Sequence, residues 1–238
     1  MQYRYETHCH GSLCSACAHS TPAQLVRAYH EAGYAGMVLT DHFIHGNTAV
    51  DRNQLWDDRM RCYYEAYLEA KEAAKDLDFD VIFGLEHAYG CGQEVLVYGI
   101  DLDFLLQNPD IPQLSLEEFA HRVHQYGGIL IQAHPYRYGG WEIPIRADLI
   151  DGMEIYNAGI PPFKNAMALQ KSRELNCIVT SGGDTHRAEH VFPGRAGIIL
   201  PYRVRDEKEL VAALKRRDHR WLIDSHAVDA LSDEIFDC

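Results

Sequence analysis

Short apolar runs alternate along the chain with longer stretches whose apolar residues recur at helical spacing, and glycine or proline separates many of them. Tyr3 to His10 reads as a first strand. Thr21-Pro22-Ala23-Gln24 offers an N-cap, a proline at the first helical position and a glutamine placed for a capping box, opening a helix that Gly33 closes. Met37 to Thr40 is a short buried-strand run, and the charged segment from Arg52 to Lys75, without proline or glycine, reads as a long helix. Val81–Phe83 and Glu94–Tyr98 are the next strands. Ser115-Leu116-Glu117-Glu118 is a capping box for a helix ending at Gly127. Ile129–Gln132, Met153–Tyr156, Cys177–Thr180, Ala196–Leu200 and Trp221–Ile223 complete the strands, with helices over Lys164–Leu175 and Asp206–Arg217 between them.

Strands alternating with helices imply a parallel sheet covered by helices. With seven or eight such units, an α/β closed or nearly closed barrel is favoured over an open doubly wound sheet, and residues 1–238 read as one domain. No Gly-rich phosphate fingerprint is present, which further disfavours an open nucleotide-binding sheet. There is no internal repeat, low-complexity tract or linker.

Charge narrows the partners. The chain has 35 acidic and 22 basic side chains, a net charge of -13, which argues against extended nucleic-acid binding. It leaves room for a phosphorylated substrate where cations reverse the local field. No apolar stretch is long enough for a membrane span, and Met1 to Glu6 lacks the apolar run of a signal peptide, so the expected location is cytoplasmic, with no membrane contact. The seven cysteines then fit reduced thiols; Cys14 and Cys17, spaced C-x-x-C, could form half of a zinc site or a redox pair, but with no second C-x-x-C they read first as plain small side chains.

The 14 histidines are the anomaly. His8 and His10 end the first strand, Asp41 and His42 follow the second, Glu86 and His87 the third, and His134, Asp184 and His186 end later ones. In a parallel barrel such ends converge on one face, where barrel enzymes keep their chemistry. Residues i and i+2 of a strand share a face, so His8 and His10 can reach one cation while Cys9 faces away. Imidazoles with carboxylates are the ligand set of zinc, iron or manganese, and Glu86 or Asp184 could bridge two ions. His30, His121, His124, His219 and His226 read as ordinary helical or outer residues.

His8-Cys9-His10, Thr40-Asp41-His42, Gly84-Leu85-Glu86, Ala133-His134-Pro135 and Gly183-Asp184-Thr185-His186 resemble, in order and across nearly the whole chain, the signature of the PHP (polymerase and histidinol phosphatase) superfamily. The resemblance implies a distorted (β/α)7 TIM-like barrel with two to three divalent metal ions (zinc, iron or manganese) at the carboxyl ends of the strands, and phosphoester hydrolysis. It assigns His8, His10, Glu86 and Asp184 to a first ion, with Glu86 bridging to a second that takes His134. His42 and His186 would hold a third with a residue of the loop after the first strand, where His19 is the match. Many family members carry a further histidine in the strand after G-x-E, but Leu96 stands there, leaving the second ion weak, absent or rescued by His87 or Cys91.

The expected function is a metal-dependent phosphoesterase hydrolysing a small phosphorylated metabolite or nucleotide through a metal-activated water near Glu86. Asp184, His186 or a metal-bound water would protonate the leaving group. Arg137 is a candidate phosphate ligand, with Arg187 and Arg195 as weaker ones. Asp41 reads as a group that orients a ligand. Two alternatives stand beside this: an amidohydrolase, disfavoured because Lys71, Lys75, Lys164, Lys171, Lys208 and Lys215 all fall on or beside helices, and a metal-stabilised domain without catalysis.

Overall fold

The computed structural model describes residues 2–138, 146 and 148–224. Its elements are β1 (Tyr3–Cys9), α1 (Pro22–Glu31), β2 (Gly36–Leu39), α2 (Trp56–Ala74), β3 (Asp80–Gly90), β4 (Gln93–Tyr98), α3 (Leu102–Gln107), α4 (Leu116–Tyr126), β5 (Ile129–Gln132), β6 (Gly152–Asn157), α5 (Pro162–Leu175), β7 (Ile178–Gly182), β8 (Ala196–Leu200), α6 (Glu207–Arg216) and β9 (Arg220–Ile223). The capping boxes at Thr21 and Ser115 form as their sequences suggest, and Gly127 closes α4 in the left-handed conformation. The long helix begins at Trp56 rather than Arg52, because the Asp51 side chain accepts the Asn53 backbone N–H and holds the intervening residues in a turn.

A nine-stranded sheet runs in the order β7-β6-β5-β4-β3-β2-β1-β8-β9. Four pairings are parallel, β1 with β2, β2 with β3, β5 with β6 and β6 with β7, as helical crossovers require. The other four are antiparallel. That corrects the simple reading of an all-parallel sheet, and the cause is local. Cys91 and Gly92, both with positive φ, form a two-residue turn of the kind that joins hairpin strands, so β4 returns directly along β3 without a helix.

The sheet nearly closes where β7 meets β1. Thr7 Oγ1 donates to the Ser181 carbonyl at 2.8 Å, and His10 and Thr185 exchange backbone hydrogen bonds across the gap, with His10 N–H donating to Thr185 O and Thr185 N–H to His8 O. Close approach demands glycine here, since a Cβ at Gly182 would meet the His8 Cβ at 2.5 Å. The result is the distorted TIM-like barrel that the motifs imply, built with nine strands rather than seven.

Alternation along the strands divides the apolar residues into two clusters. Met37, Leu39, Val81, Phe83, Val95 and Val97 pack with Leu25, Val26, Met60 and Tyr63 of α1 and α2. Tyr5, Val38, Ile82, Leu96, Tyr98 and Ile131 pack with one another and with Leu210 and Leu214 of α6. Among the described residues no helix is long and apolar enough to cross a membrane.

Candidate metal centre

β1 and β3 and the segments that follow β1, β2, β5 and β7 deliver their polar residues to one place. His8 Nε2 lies 3.2 Å from Glu86 Oε1 and 3.6 Å from Asp184 Oδ1. His10 Nε2 is 3.2 Å from the same Asp184 oxygen. His134 Nε2 sits 2.8 Å from Glu86 Oε1, and His42 Nδ1 sits 2.6 Å from Glu86 Oε2. The rings of His10 and His186 stack at 4.4 Å. Glu86 is thus the hub among residues from distant parts of the chain. It shares the cluster with His8, His10, His42 and Asp184, and every one of these contacts is buried.

Satisfaction of these groups is uneven. Hydrogen-bond partners fix the outer side of several residues. Glu154, fully buried, accepts from His8 Nδ1 at 3.0 Å and from the His134 backbone N–H at 2.9 Å. With Nδ1 donating outward, His8 turns the lone pair of Nε2 toward Glu86 and Asp184. The inner atoms have no such partners: His8 Nε2, His10 Nε2, His42 Nδ1, Glu86 Oε2 and Asp184 Oδ1 are all buried without a well-formed hydrogen bond. Buried polar atoms are normally satisfied, and five orphans facing one another are what a divalent cation would satisfy. Four sets of three donors lie within 4.8 Å of one another: His8, His10 and Asp184; His8, Glu86 and His134; His42, Glu86 and Glu94; and His10, His42 and His186. The donor set therefore fits the ions that the motifs imply.

Backbone and electrostatics carry the same mark. His134 and Asp184 both adopt positive φ, +25° and +47°, a strained conformation for side chains of this kind that persists where surrounding structure enforces it. Burial alone would raise the Glu86 carboxyl, but His8, His134 and His42 reverse this and hold it well below the carboxylate range. Asp184 is likewise held low against burial, by His8 and His10. His10 goes the other way, lowered to about 3 by burial and by the neighbouring His42.

Seven of the eight metal ligands expected from sequence meet here, and His19 does not. Its backbone N–H donates to the His186 carbonyl, but its side chain is exposed and joins none of the donor sets. Cys17 joins none of the donor sets either; burial raises its thiol, and the neighbouring His186 and His42 outweigh this and bring it down to about 6. Cys14 matches the plain reading, fully buried under α2.

Leu96 is a core residue, as its position in β4 suggests, and neither suggested substitute takes over. His87 faces away from Glu86, against Phe119 and Phe43, and Cys91 is exposed at the hairpin turn. Glu94 fills the gap: two positions before Leu96 on β4 it shares that residue's face, and it lies 3.4 Å from His134 Nε2 and 3.8 Å from His42 Nδ1. Burial and the charge of Glu86 raise its carboxyl. Alternation from Leu96 was the available signal for Glu94. Glu154, contributed by β6, had none, because an isolated glutamate in an apolar strand carries no motif.

Arg137 reaches the rim, with Nη1 3.2 Å from His134 Nε2, 3.7 Å from Glu94 and 4.0 Å from Asp184 Oδ2. Arg195 does not: it donates to the His190 carbonyl in a separate cleft and approaches the centre only through Thr185. Arg187 pairs with Glu189. Asp41 accepts from Gly11 N–H and Ser15 Oγ, tying down the loop after β1, and Ser15 Oγ in turn accepts the His42 N–H. His30, His121 and His124 lie on helices and His219 precedes β9, while His226 lies outside the described residues. Beside the centre, a cleft of about 570 Å³ opens between Glu94, His87, Tyr89, His45 and Tyr138.

No protein-family model and no curated protein matches the chain. Solved structures do share its fold. One is a two-domain protein from Bacteroides vulgatus described as containing a predicted PHP-like metal-dependent phosphoesterase, with TM-score 0.68, 15% identity, and coverage of 94% of this chain and 65% of that one. The chain thus spans just under two thirds of that protein. An amidohydrolase from Chromobacterium violaceum, with bound sulfate and no metal, has TM-score 0.58 and 14% identity over 93% of this chain and 99% of that one. Endonuclease Q, in complex with duplex DNA carrying an abasic lesion, has TM-score 0.62 and 12% identity over 91% of this chain and 57% of that one. At such identities the shared property is the barrel, and three differently named activities occur on it.

Proposed function

We propose that this chain is a PHP-type metal-dependent phosphoesterase acting on a small phosphorylated metabolite or nucleotide. The observation that carries the reading is the set of five buried, unpartnered donor atoms facing one another at the carboxyl ends of the strands. His8, His10, Glu86 and Asp184 would hold one ion, Glu86, His134 and Glu94 a second, and His42 and His186 a third. Two or three bound divalent ions would supply a water of lowered pKa and neutralise the non-bridging oxygens of a phosphate ester.

The chain's own groups supply the rest. Glu154 holds the His8 imidazole and Ser15 Oγ meets Nδ1 of His10, so ligand geometry is set before substrate arrives. Arg137, half-exposed above His134, presents a planar fork to a phosphate at the rim. Of the groups expected to protonate a leaving alkoxide, Asp184 is held ionised by His8 and His10 against burial, so the more exposed His186 or a metal-bound water would serve. The adjoining cleft gives the leaving group room.

The six lysines named above lie in α2, α5 and α6 or directly after α2, so none is placed as a carboxylated bridge between ions, which disfavours the amidohydrolase reading. The net charge disfavours a polynucleotide. The test is a panel of phosphorylated metabolites, nucleotides and an abasic duplex, assayed for hydrolysis with manganese, zinc or iron, alongside metal analysis. We expect tightly bound metal and release of phosphate from small esters, lost by about 10³-fold in His8→Ala with His10→Ala. Purified protein without tightly bound metal, together with an unchanged double variant, would sink the proposal.

A further inference from the structure

We infer that Glu6 is a positioning residue of the metal centre: its buried carboxylate clamps the end of β1 to the end of β7 and so sets His8 and Asp184 in reach of one ion. The inference rests on the metal reading above and deepens it by naming what fixes the spacing of two ligands far apart in sequence. Glu6 is 1% exposed. Its Oε1 accepts three backbone N–H groups, from Thr7 at 2.9 Å, His8 at 2.8 Å and Gly183 at 2.8 Å. Its Oε2 accepts the Tyr29 hydroxyl of α1 at 2.9 Å. An ionised carboxylate, which only accepts, suits four converging donors.

β1 is irregular where this carboxylate binds it. Pairing with β8 covers only Tyr3 to Tyr5, and the register against β2 shifts between Glu6 and Cys9. Thr7 and His8 fall in that stretch, and their N–H groups turn to Glu6. A break in the ladder beside a site re-aims a side chain, and the side chain carried here is His8.

On the facing strand, Gly183 follows the last residue of β7 and precedes Asp184. Asp184 has a φ of +47°, a strain that neighbouring contacts must hold, and the Gly183 N–H on Glu6 is one of them. Position 183 has no room for a side chain: a Cβ there would meet Glu6 Oε2 at 2.7 Å and Thr185 Oγ1 at 2.5 Å. One carboxylate therefore grips the backbone at His8 and next to Asp184, and His8 Nε2 stands 3.6 Å from Asp184 Oδ1.

The test is calorimetric titration of the metal-free full chain with zinc. The binding step that disappears in Asp184→Asn belongs to the ion shared with His8. Glu6→Asp, one methylene shorter, cannot span both strands and should weaken that step about tenfold while the remaining steps stay in place. Gly183→Ala displaces Glu6 from the other side and should weaken the same step, which keeps the inference testable where circular dichroism shows Glu6→Asp unfolded. Glu6→Gln, whose amide oxygen can accept the three N–H groups, should stay close to the wild type. Val204→Ala, in the core beside Tyr5, should lower the melting temperature and leave the step unchanged. An unchanged step in Glu6→Asp and Gly183→Ala, equal weakening of every step, or a Gln variant as weak as the Asp one overturns the clamp and leaves the metal centre standing. A wild type that takes up no zinc overturns the metal reading and this inference together.

Discussion

Near the start of β3, Asp80 accepts from Arg203 Nε at 2.5 Å and Nη2 at 3.1 Å and from the Tyr5 hydroxyl at 3.2 Å, while the hydroxyl itself accepts the Val204 N–H at 2.8 Å. Further along the same strand, Glu86 stands among His8, His42 and His134 with one oxygen unpartnered. Both carboxylates are buried or nearly so. One belongs to a network that is closed within the protein, the other to a network that a cation would close. A closed buried network holds the barrel together, and an open one is a site awaiting a ligand. The contrast follows the usual division of such barrels, with chemistry at the carboxyl ends of the strands and stability at the amino ends.

The largest effect that can sharpen this contrast is expected at Glu94. If it completes the second ion site in the absence of a histidine at position 96, Glu94→Gln should lower affinity for that ion about 10- to 100-fold and reduce hydrolysis in step. Thermal stability of the metal-free protein should hardly change, because its neighbours keep other partners, His134 on Glu86 and Arg137 on His134. Metal titration followed by calorimetry reads the affinity. A variant that binds all its ions as tightly as the wild type would show Glu94 to be only a neighbour of His134.

The placing of Glu94 also shows where sequence reading reaches its limit. His8 and His10 were legible because H-x-H on a strand fixes their common face, and His42, Glu86, His134, Asp184 and His186 because each follows an apolar run. Helix starts at Thr21 and Ser115 were legible because capping is local. The antiparallel return of β4 hung on two turn residues, Cys91 and Gly92, and was lost among glycines that serve other ends. Cys17 and His19 lie on a loop, where no period says which side chain turns inward. That choice is made by hydrogen bonds to Asn47 and His186, distant in sequence. Glu154 and its bond to His8 depend on β7 meeting β1, which brings the next strand, β6, within reach of His8.

The amino end can be broken without touching the centre. Arg203→Met removes the cation from Asp80, which is 11% exposed at its side chain, and leaves that carboxylate with the Tyr5 hydroxyl alone. Leaving a largely buried charge without its partner should cost about 2 kcal/mol, reduced from the fully buried case because Arg203 is itself partly exposed. Urea denaturation measures the loss, and metal content should stay that of the wild type. Equal loss of stability and of bound metal would mean that the two networks are coupled through β3, and the division between the ends would fail.

The smallest expected effect concerns a histidine at the amino end, set against those of the centre. His219 Nε2 lies 2.6 Å from the Val179 carbonyl at the start of β7, and Nδ1 is buried without a partner. Burial lowers its pKa, and the nearby Arg217 adds to this, while the Val179 carbonyl and Asp218 oppose it. A histidine whose pKa is depressed in the folded state stays neutral there while the unfolded chain takes up a proton. Its contribution to stability is therefore present above the unfolded value of about 6.5 and is lost as pH falls below it. His219→Gln keeps a donor for Val179 and has no charge to acquire, so its stability should fall less steeply than the wild type's between about pH 7 and 5. Denaturation midpoints of the metal-free proteins across that range read the difference. Parallel curves would mean that His219 contributes nothing to the acid sensitivity, and that the amino end is closed to protons as well as to ions.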